Sequence, residues 1–218
     1  MWILLRDRLL SYLQHFEGAL DTNLRNRRDF LKFDKDQTSY TISQGGLRLL
    51  LAAYLDVDVS EVTLGRRPKG KPFLENDTNL YFNITNSGEV CALAFCRKHE
   101  VGIDVEEVRP LPDLPEMVEK NCTSREAADI WRSRDPLRQF YRYWTLKEAY
   151  LKAIGEGMRL TPENMEFSIS RDQAKLLSVN GLFDGTDWRF RFFDTGADAI
   201  GTLAYPAEAK LTGRFMVG

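Results

Sequence analysis

The segment 101–106 reads Val-Gly-Ile-Asp-Val-Glu, an alternation that predicts a strand. Side chains of a strand alternate between its faces. Val101, Ile103 and Val105 therefore point one way, and Gly102, Asp104 and Glu106 the other. The two carboxylates lie about 6.6 Å apart on one face, two strand rises, and Gly102 is expected to leave open space beside them. Carboxylates this close repel, and a hard cation such as Mg²⁺ bridging oxygen ligands relieves the repulsion. A half-buried strand with a solvated polar face has the same pattern, so the strand alone leaves both readings open.

Two further segments carry chemistry. In 139–155, Tyr143, Leu146, Tyr150 and Ile154 are spaced as one buried helical stripe, and Trp144, Glu148 and Lys152 recur every four residues beside it. Glu148 and Lys152 stand in the order of a helix-stabilising ion pair worth about 0.2–0.5 kcal/mol. In 65–88, Arg66, Arg67, Lys69 and Lys71 gather positive charge, and Thr85, Asn86 and Ser87 offer hydroxyl and amide donors in an expected turn. Backbone N–H groups of such a turn can face a phosphate. A solvated basic loop is the alternative; the phosphate reading requires that loop and carboxylates face one cleft.

Around these segments the patterning predicts a helix over 41–55, strands over 80–84 and 90–95, and a proline-bearing linker over 109–115. Helices over 124–132 and 136–154 follow, the second stopped by Gly155 and Gly157. Strands are predicted over 165–170, 188–193 and 199–205. Both halves run helix first and then antiparallel strands, which predicts two similar lobes, 1–108 and 109–218. The opening MWILLRDRLLSYL is interrupted by Arg6 and Arg8 and reads as a buried strand or the start of an amphipathic helix, not a signal peptide or a membrane span.

At 218 residues, 43% hydrophobic and 28% charged, the composition is that of a soluble globular protein with room for one domain or two compact lobes. A net charge of -2 argues against a nucleic-acid binder with a basic surface. Cys91, Cys96 and Cys122 are odd in number and form no C-x-x-C pair, so a reducing cytoplasm is expected rather than a disulfide framework.

Taken together, VGIDVEE (101–107) and YWTLKEAYLKAIGEG (143–157) resemble the two signature motifs of 4′-phosphopantetheinyl transferases. GKPFL (70–74) and FNITNSG (82–88) stand upstream in that family's order. The resemblance runs from about residue 47 to 166 and is to the larger type that activates peptide and polyketide synthetases. It implies an α+β fold, a pseudo-dimer of two lobes with the active site between them, sufficient as a monomer. It also implies transfer of phosphopantetheine from coenzyme A to a serine of an acyl or peptidyl carrier protein, releasing adenosine 3′,5′-bisphosphate. By the resemblance, Asp104, Glu106 and Glu148 hold Mg²⁺ (Mn²⁺ as a substitute), Glu148 is the candidate base, and Lys152 contacts the reacting phosphate. Lys147 and Trp144 shape the site, Lys71 reaches the nucleotide phosphates, and Thr85 stands where serine is usual.

Two positions depart from the family pattern. Asn86 replaces a histidine, and Tyr40 stands where an arginine usually precedes the first helix, with Arg48 the candidate substitute. The basic residues Arg25, Arg27, Arg28 and Lys32 have no secure alignment. Arg125, Arg132, Arg134, Arg138 and Arg142, with Trp131, form the expected docking face for an acidic carrier. A non-catalytic coenzyme A or carrier-binding module and a Mg²⁺-dependent phosphodiesterase or nucleotide hydrolase are the alternatives from other classes.

Overall fold

The computed structural model of the chain describes residues 1–68, 70–75, 77, 79–155, 161–180 and 186–217. It opens with β1 (Trp2–Leu5), two short 3₁₀ turns, and helices α1 (Leu13–Gly18), α2 (Thr22–Asp29) and α3 (Asp34–Leu55). Strands β2 (Leu64–Arg66), β3 (Pro72–Leu74), β4 (Leu80–Ser87), β5 (Val90–Arg97) and β6 (Gly102–Glu107) complete the first half. Helices α4 (Leu114–Asn121), α5 (Ser124–Arg132) and α6 (Pro136–Ile154) lead to β7 (Met165–Ser170), β8 (Gln173–Val179), β9 (Trp188–Asp194), β10 (Ala199–Pro206) and β11 (Phe215–Val217). Among the described residues no helix is long and apolar enough to cross a membrane.

The strands form one sheet in the order β11-β1-β5-β4, a second in the order β6-β10-β9-β8-β7, and a β2-β3 hairpin. Chain order and sheet membership cross over twice. Strand β6 pairs antiparallel with β10 in the second sheet, and β11 returns to pair parallel with β1 in the first. Helix α3 and one face of β1, β4 and β5 enclose a core around Leu47, Leu51, Phe82 and Leu93. Helices α4, α5 and α6 cover the second sheet around Phe140, Leu146, Tyr150 and Phe167. A third cluster joins the two sheets: Ile3, Leu5, Ala92 and Ala94 meet Val101, Ile103, Val105 and Leu203.

The helices over 124–132 and 136–154 fall where the sequence places them, because local signals fix their ends. Thr123 and Glu126 form a reciprocal capping box at the start of α5. Asp135 caps α6, Pro136 occupies its first turn, and Gly155 ends it in the left-handed region at φ 68°. Gly157 lies outside the described residues. Elsewhere the boundaries differ. Helix α3 starts at Asp34 rather than 41, with Asp34 and Asp36 in its positive first turn. The linker 109–115 yields to α4, which takes Pro115 in its first turn, where no hydrogen-bonded N–H is needed. The expected turn at Thr85–Ser87 is strand: β4 runs through Ser87, and Gly88 and Glu89 alone connect it to β5.

Candidate active site

Helix α6 lies directly on β6, and Gly102 permits it. A Cβ placed on Gly102 would sit 1.9 Å from the Ala149 carbonyl oxygen and 2.5 Å from the Ala153 nitrogen. The open space expected beside the carboxylates is therefore filled by helix backbone. Thr202, the cross-strand partner of Asp104, shares a 2.8 Å hydrogen bond between buried hydroxyls with Thr145 of α6. Together these contacts hold Glu148 and Lys152 against the Asp104 face of β6. On its other face β6 buries Ile103 and Val105 in the core between the sheets, as its alternation requires.

Asp104 is 2% exposed. Its Oδ1 accepts hydrogen bonds from Lys152 Nζ at 2.6 Å and Thr85 Oγ1 at 3.1 Å, and Lys152 Nζ also reaches Thr85 Oγ1 at 3.2 Å. Its Oδ2 is buried without a hydrogen-bond partner. Burial pushes the Asp104 carboxyl up to about 6; Lys152 opposes the shift, and Glu106 and Glu148 add to it. Burial also raises Glu148, again against Lys152 and with Glu106. Three carboxylates thus act on one another around a single ammonium. Lys152 bonds Asp104 across the interface, so the simple helical Glu148–Lys152 reading does not describe it. Glu106 accepts a 2.8 Å bond from Ser87 Oγ.

Among the described residues no three acidic, His or Cys side chains are gathered as a formed metal shell. The donor set nevertheless suits a hard cation: it is all carboxylate oxygen, and one buried oxygen lacks a partner.

The other expected ligand contacts fall differently. Lys147 is 1% exposed and turns into the core, where its Nζ meets Glu126 Oε2 at 2.6 Å and the carbonyls of Asn121, Pro162 and Met165 at 2.8, 2.8 and 3.1 Å. An ammonium has three protons, and these core acceptors engage all of them. The residue after Lys147 is turned by one helical step of roughly 100°, and that residue is Glu148. Trp144 is half-buried and stacks on Phe140 at 6.1 Å, a packing role on the same helix. Thr85 is buried and engaged with Asp104 and Lys152. Asn86, its neighbour on β4, is exposed.

The basic turn is a hairpin, β2 paired with β3 from Leu64↔Leu74 to Arg66↔Pro72. Lys69 lies outside the described residues. Lys71 Nζ is held by Glu100 at 2.7 Å and by the Lys152 and Ala153 carbonyls at 2.6 and 3.3 Å. It closes the last turn of α6, where unpaired carbonyls favour a cation; burial lowers its pKa, and Glu100 opposes that. The hairpin is thereby fixed beside Lys152, although Lys71 itself is occupied. Arg48 is no substitute for the missing arginine: it is buried and bonded to Ala19 O at 2.7 Å, Val59 O at 2.9 Å and Asp21. At Tyr40, burial raises the phenol pKa, and Arg27 and Arg66 both oppose the shift. Basic groups from α2 and the hairpin therefore converge near that position.

Sequence patterning missed Gly102 as the contact glycine, Ser87 as a partner of Glu106, and Glu100 as the counterion of Lys71. A glycine inside a strand marks close approach of another backbone, and Asn83, Thr85 and Ser87 alternate as one polar strand face. Both signals were present in the chain.

The family model described as the 4′-phosphopantetheinyl transferase superfamily matches residues 100–204, and that of the 4′-phosphopantetheinyl transferase N-terminal region matches 11–98. The chain is 32% identical over 163 residues to the 4′-phosphopantetheinyl transferase HetI of Nostoc sp., covering 72% of this chain and 69% of that protein. It is 30% identical over 191 residues to a phosphopantetheinyl transferase of Thraustochytrium sp., covering 80% and 66%. It is 31% identical over 151 residues to the L-aminoadipate-semialdehyde dehydrogenase-phosphopantetheinyl transferase of Rattus norvegicus. That match covers 63% of this chain and spans about half of the rat protein, 49%. The two matched regions meet at the start of β6, where the structure joins its two sheets, and the chain belongs to the 4′-phosphopantetheinyl transferase superfamily.

Proposed function

We propose that this chain is an enzyme that transfers the phosphopantetheine arm of coenzyme A to a serine of a carrier protein. The observation that carries the proposal is Asp104, buried with Oδ2 unpartnered and Oδ1 held by Lys152, beside Glu106 and Glu148. The serine oxygen forms a bond to the β-phosphorus, the bond from that phosphorus to the bridging oxygen of the diphosphate breaks, and adenosine 3′,5′-bisphosphate leaves. Mg²⁺ or Mn²⁺, held by Asp104, Glu106 and Glu148, would supply charge neutralisation on the diphosphate. Lys152, with 30% of its side chain exposed against 4% for Asp104, offers its ammonium to the reacting phosphate while bonded to Asp104 Oδ1. Glu148, the α6 carboxylate beside Lys152 and Asp104, takes the serine proton as general base. Positioning and charge neutralisation provide most of the acceleration, as in other phosphoryl transfers.

Asn86 and the basic groups about Tyr40 are the proposed contacts to the nucleotide portion. The carrier docks on α5, where Trp131 is 48% exposed and Arg132 and Arg134 are exposed beside it. Arg138 and Arg142 of the expected face are engaged with Asp198 and Asp172. We place the enzyme in the cytoplasm as a monomer, consistent with three unpaired cysteines.

Mass spectrometry of an apo carrier protein incubated with coenzyme A and Mg²⁺ tests the reading. Transfer adds the arm and stops in excess EDTA. An unmodified carrier with intact coenzyme A identifies a binding module, and coenzyme A consumed without modification identifies a phosphodiesterase.

A further inference from the structure

Strands β4 and β6 are neighbouring edges of different sheets, and no backbone ladder joins them. Asn83, Thr85 and Ser87, on one face of β4, bridge the gap with side chains. Asn83 Oδ1 accepts from Ile103 N at 2.8 Å, and Ser87 Oγ accepts from Glu107 N at 3.0 Å. Thr85 and Ser87 also donate to the two β6 carboxylates, Thr85 to Asp104 Oδ1 at 3.1 Å and Ser87 to Glu106 Oε2 at 2.8 Å. Each carboxylate thus has one oxygen tethered by a β4 hydroxyl. Asp104 Oδ2 is buried without a partner, and Glu106 Oε1 makes no hydrogen bond among the described residues.

We propose that Ser87 is a positioning residue, which fixes the Glu106 carboxylate so that its free oxygen faces a divalent cation. The inference rests on the metal-site reading above and adds to it a residue whose hydroxyl is engaged by Glu106 and Glu107 and acts through Glu106. Ser87 is suited to the task because both sides of its hydroxyl are committed. Its single proton goes to Glu106 and a lone pair receives Glu107 N–H, so the hydroxyl cannot turn away without losing both bonds. A free glutamate must surrender rotamer freedom to bind a cation, and a tethered one has already done so. Partners that orient metal-binding groups commonly change metal affinity by about 10–100-fold. The first sheet thereby sets the cation affinity of a site whose carboxylates stand on the second sheet and α6.

The test is a Mn²⁺ titration followed by the electron paramagnetic resonance signal of the free ion. Parent, Ser87→Ala and Ser87→Thr are compared with and without coenzyme A, each with a thermal melt. The expected result is Mn²⁺ binding weakened about tenfold or more in Ser87→Ala, while Ser87→Thr, which keeps the hydroxyl, stays near the parent. If Ser87→Ala lowers only the melting temperature and binds Mn²⁺ as the parent does, Ser87 merely joins the sheets and the inference is wrong. A parent that binds no Mn²⁺ under either condition removes the metal reading, and this inference with it.

Discussion

Replacing Gly102 by alanine adds one methyl group at the point where α6 touches β6. That methyl carbon would stand 1.9 Å from Ala149 O, 2.5 Å from Ala153 N and 2.9 Å from Ala153 Cβ. Comfortable heavy-atom contacts lie near ~3.5 Å, so the helix must retreat by more than about 1 Å. Two of the three blocking atoms are backbone, and no rotamer change relieves them. Overpacking of this kind costs about 1–3 kcal/mol, which lowers Tm by about 2–4 °C per kcal/mol in a chain of this size. The retreat also carries Glu148 and Lys152 away from Asp104, and a shift of about 1 Å in reacting groups can cost about 100-fold in rate. Gly102→Ala should therefore lose carrier-loading activity by about two orders of magnitude while remaining folded at 25 °C. Circular dichroism melts and steady-state kinetics of transfer measure both quantities. A variant with parental Tm and kcat would show that α6 does not set the distance between the two halves of the site.

Lys152→Ala removes the ammonium between Asp104 and the substrate; kcat should fall by about 100-fold or more, and a parental kcat with a slightly lower Tm would assign Lys152 to structure alone. Lys147→Met strands the fully buried Glu126 and should cost about 3–5 kcal/mol. In that variant, KM for coenzyme A should stay near the parent's wherever it is folded; an unchanged Tm with lost coenzyme A affinity would return Lys147 to the ligand site.

The chain itself determines whatever depends on neighbours in sequence. Alternation places Asp104 and Glu106 on one face of β6, four-residue spacing aligns Trp144, Glu148 and Lys152 on α6, and the caps at Thr123, Asp135 and Gly155 end two helices where the sequence places them. Local backbone geometry and terminal hydrogen bonds suffice for these, and they act within a few residues. Which cations face substrate and which face the core is a different matter. Lys147 and Lys152 both lie in the same motif of α6, yet one is sealed against Glu126 and the other stands open beside Asp104. Lys71 closes the end of α6, Arg48 pins α1 to the turn at Val59, and Thr85 serves Asp104. Each of these is chosen by a desolvated acceptor many residues away. Burying a charge without a partner costs so much that the tertiary structure, through where it leaves carboxylates and open carbonyls, decides which side chain answers.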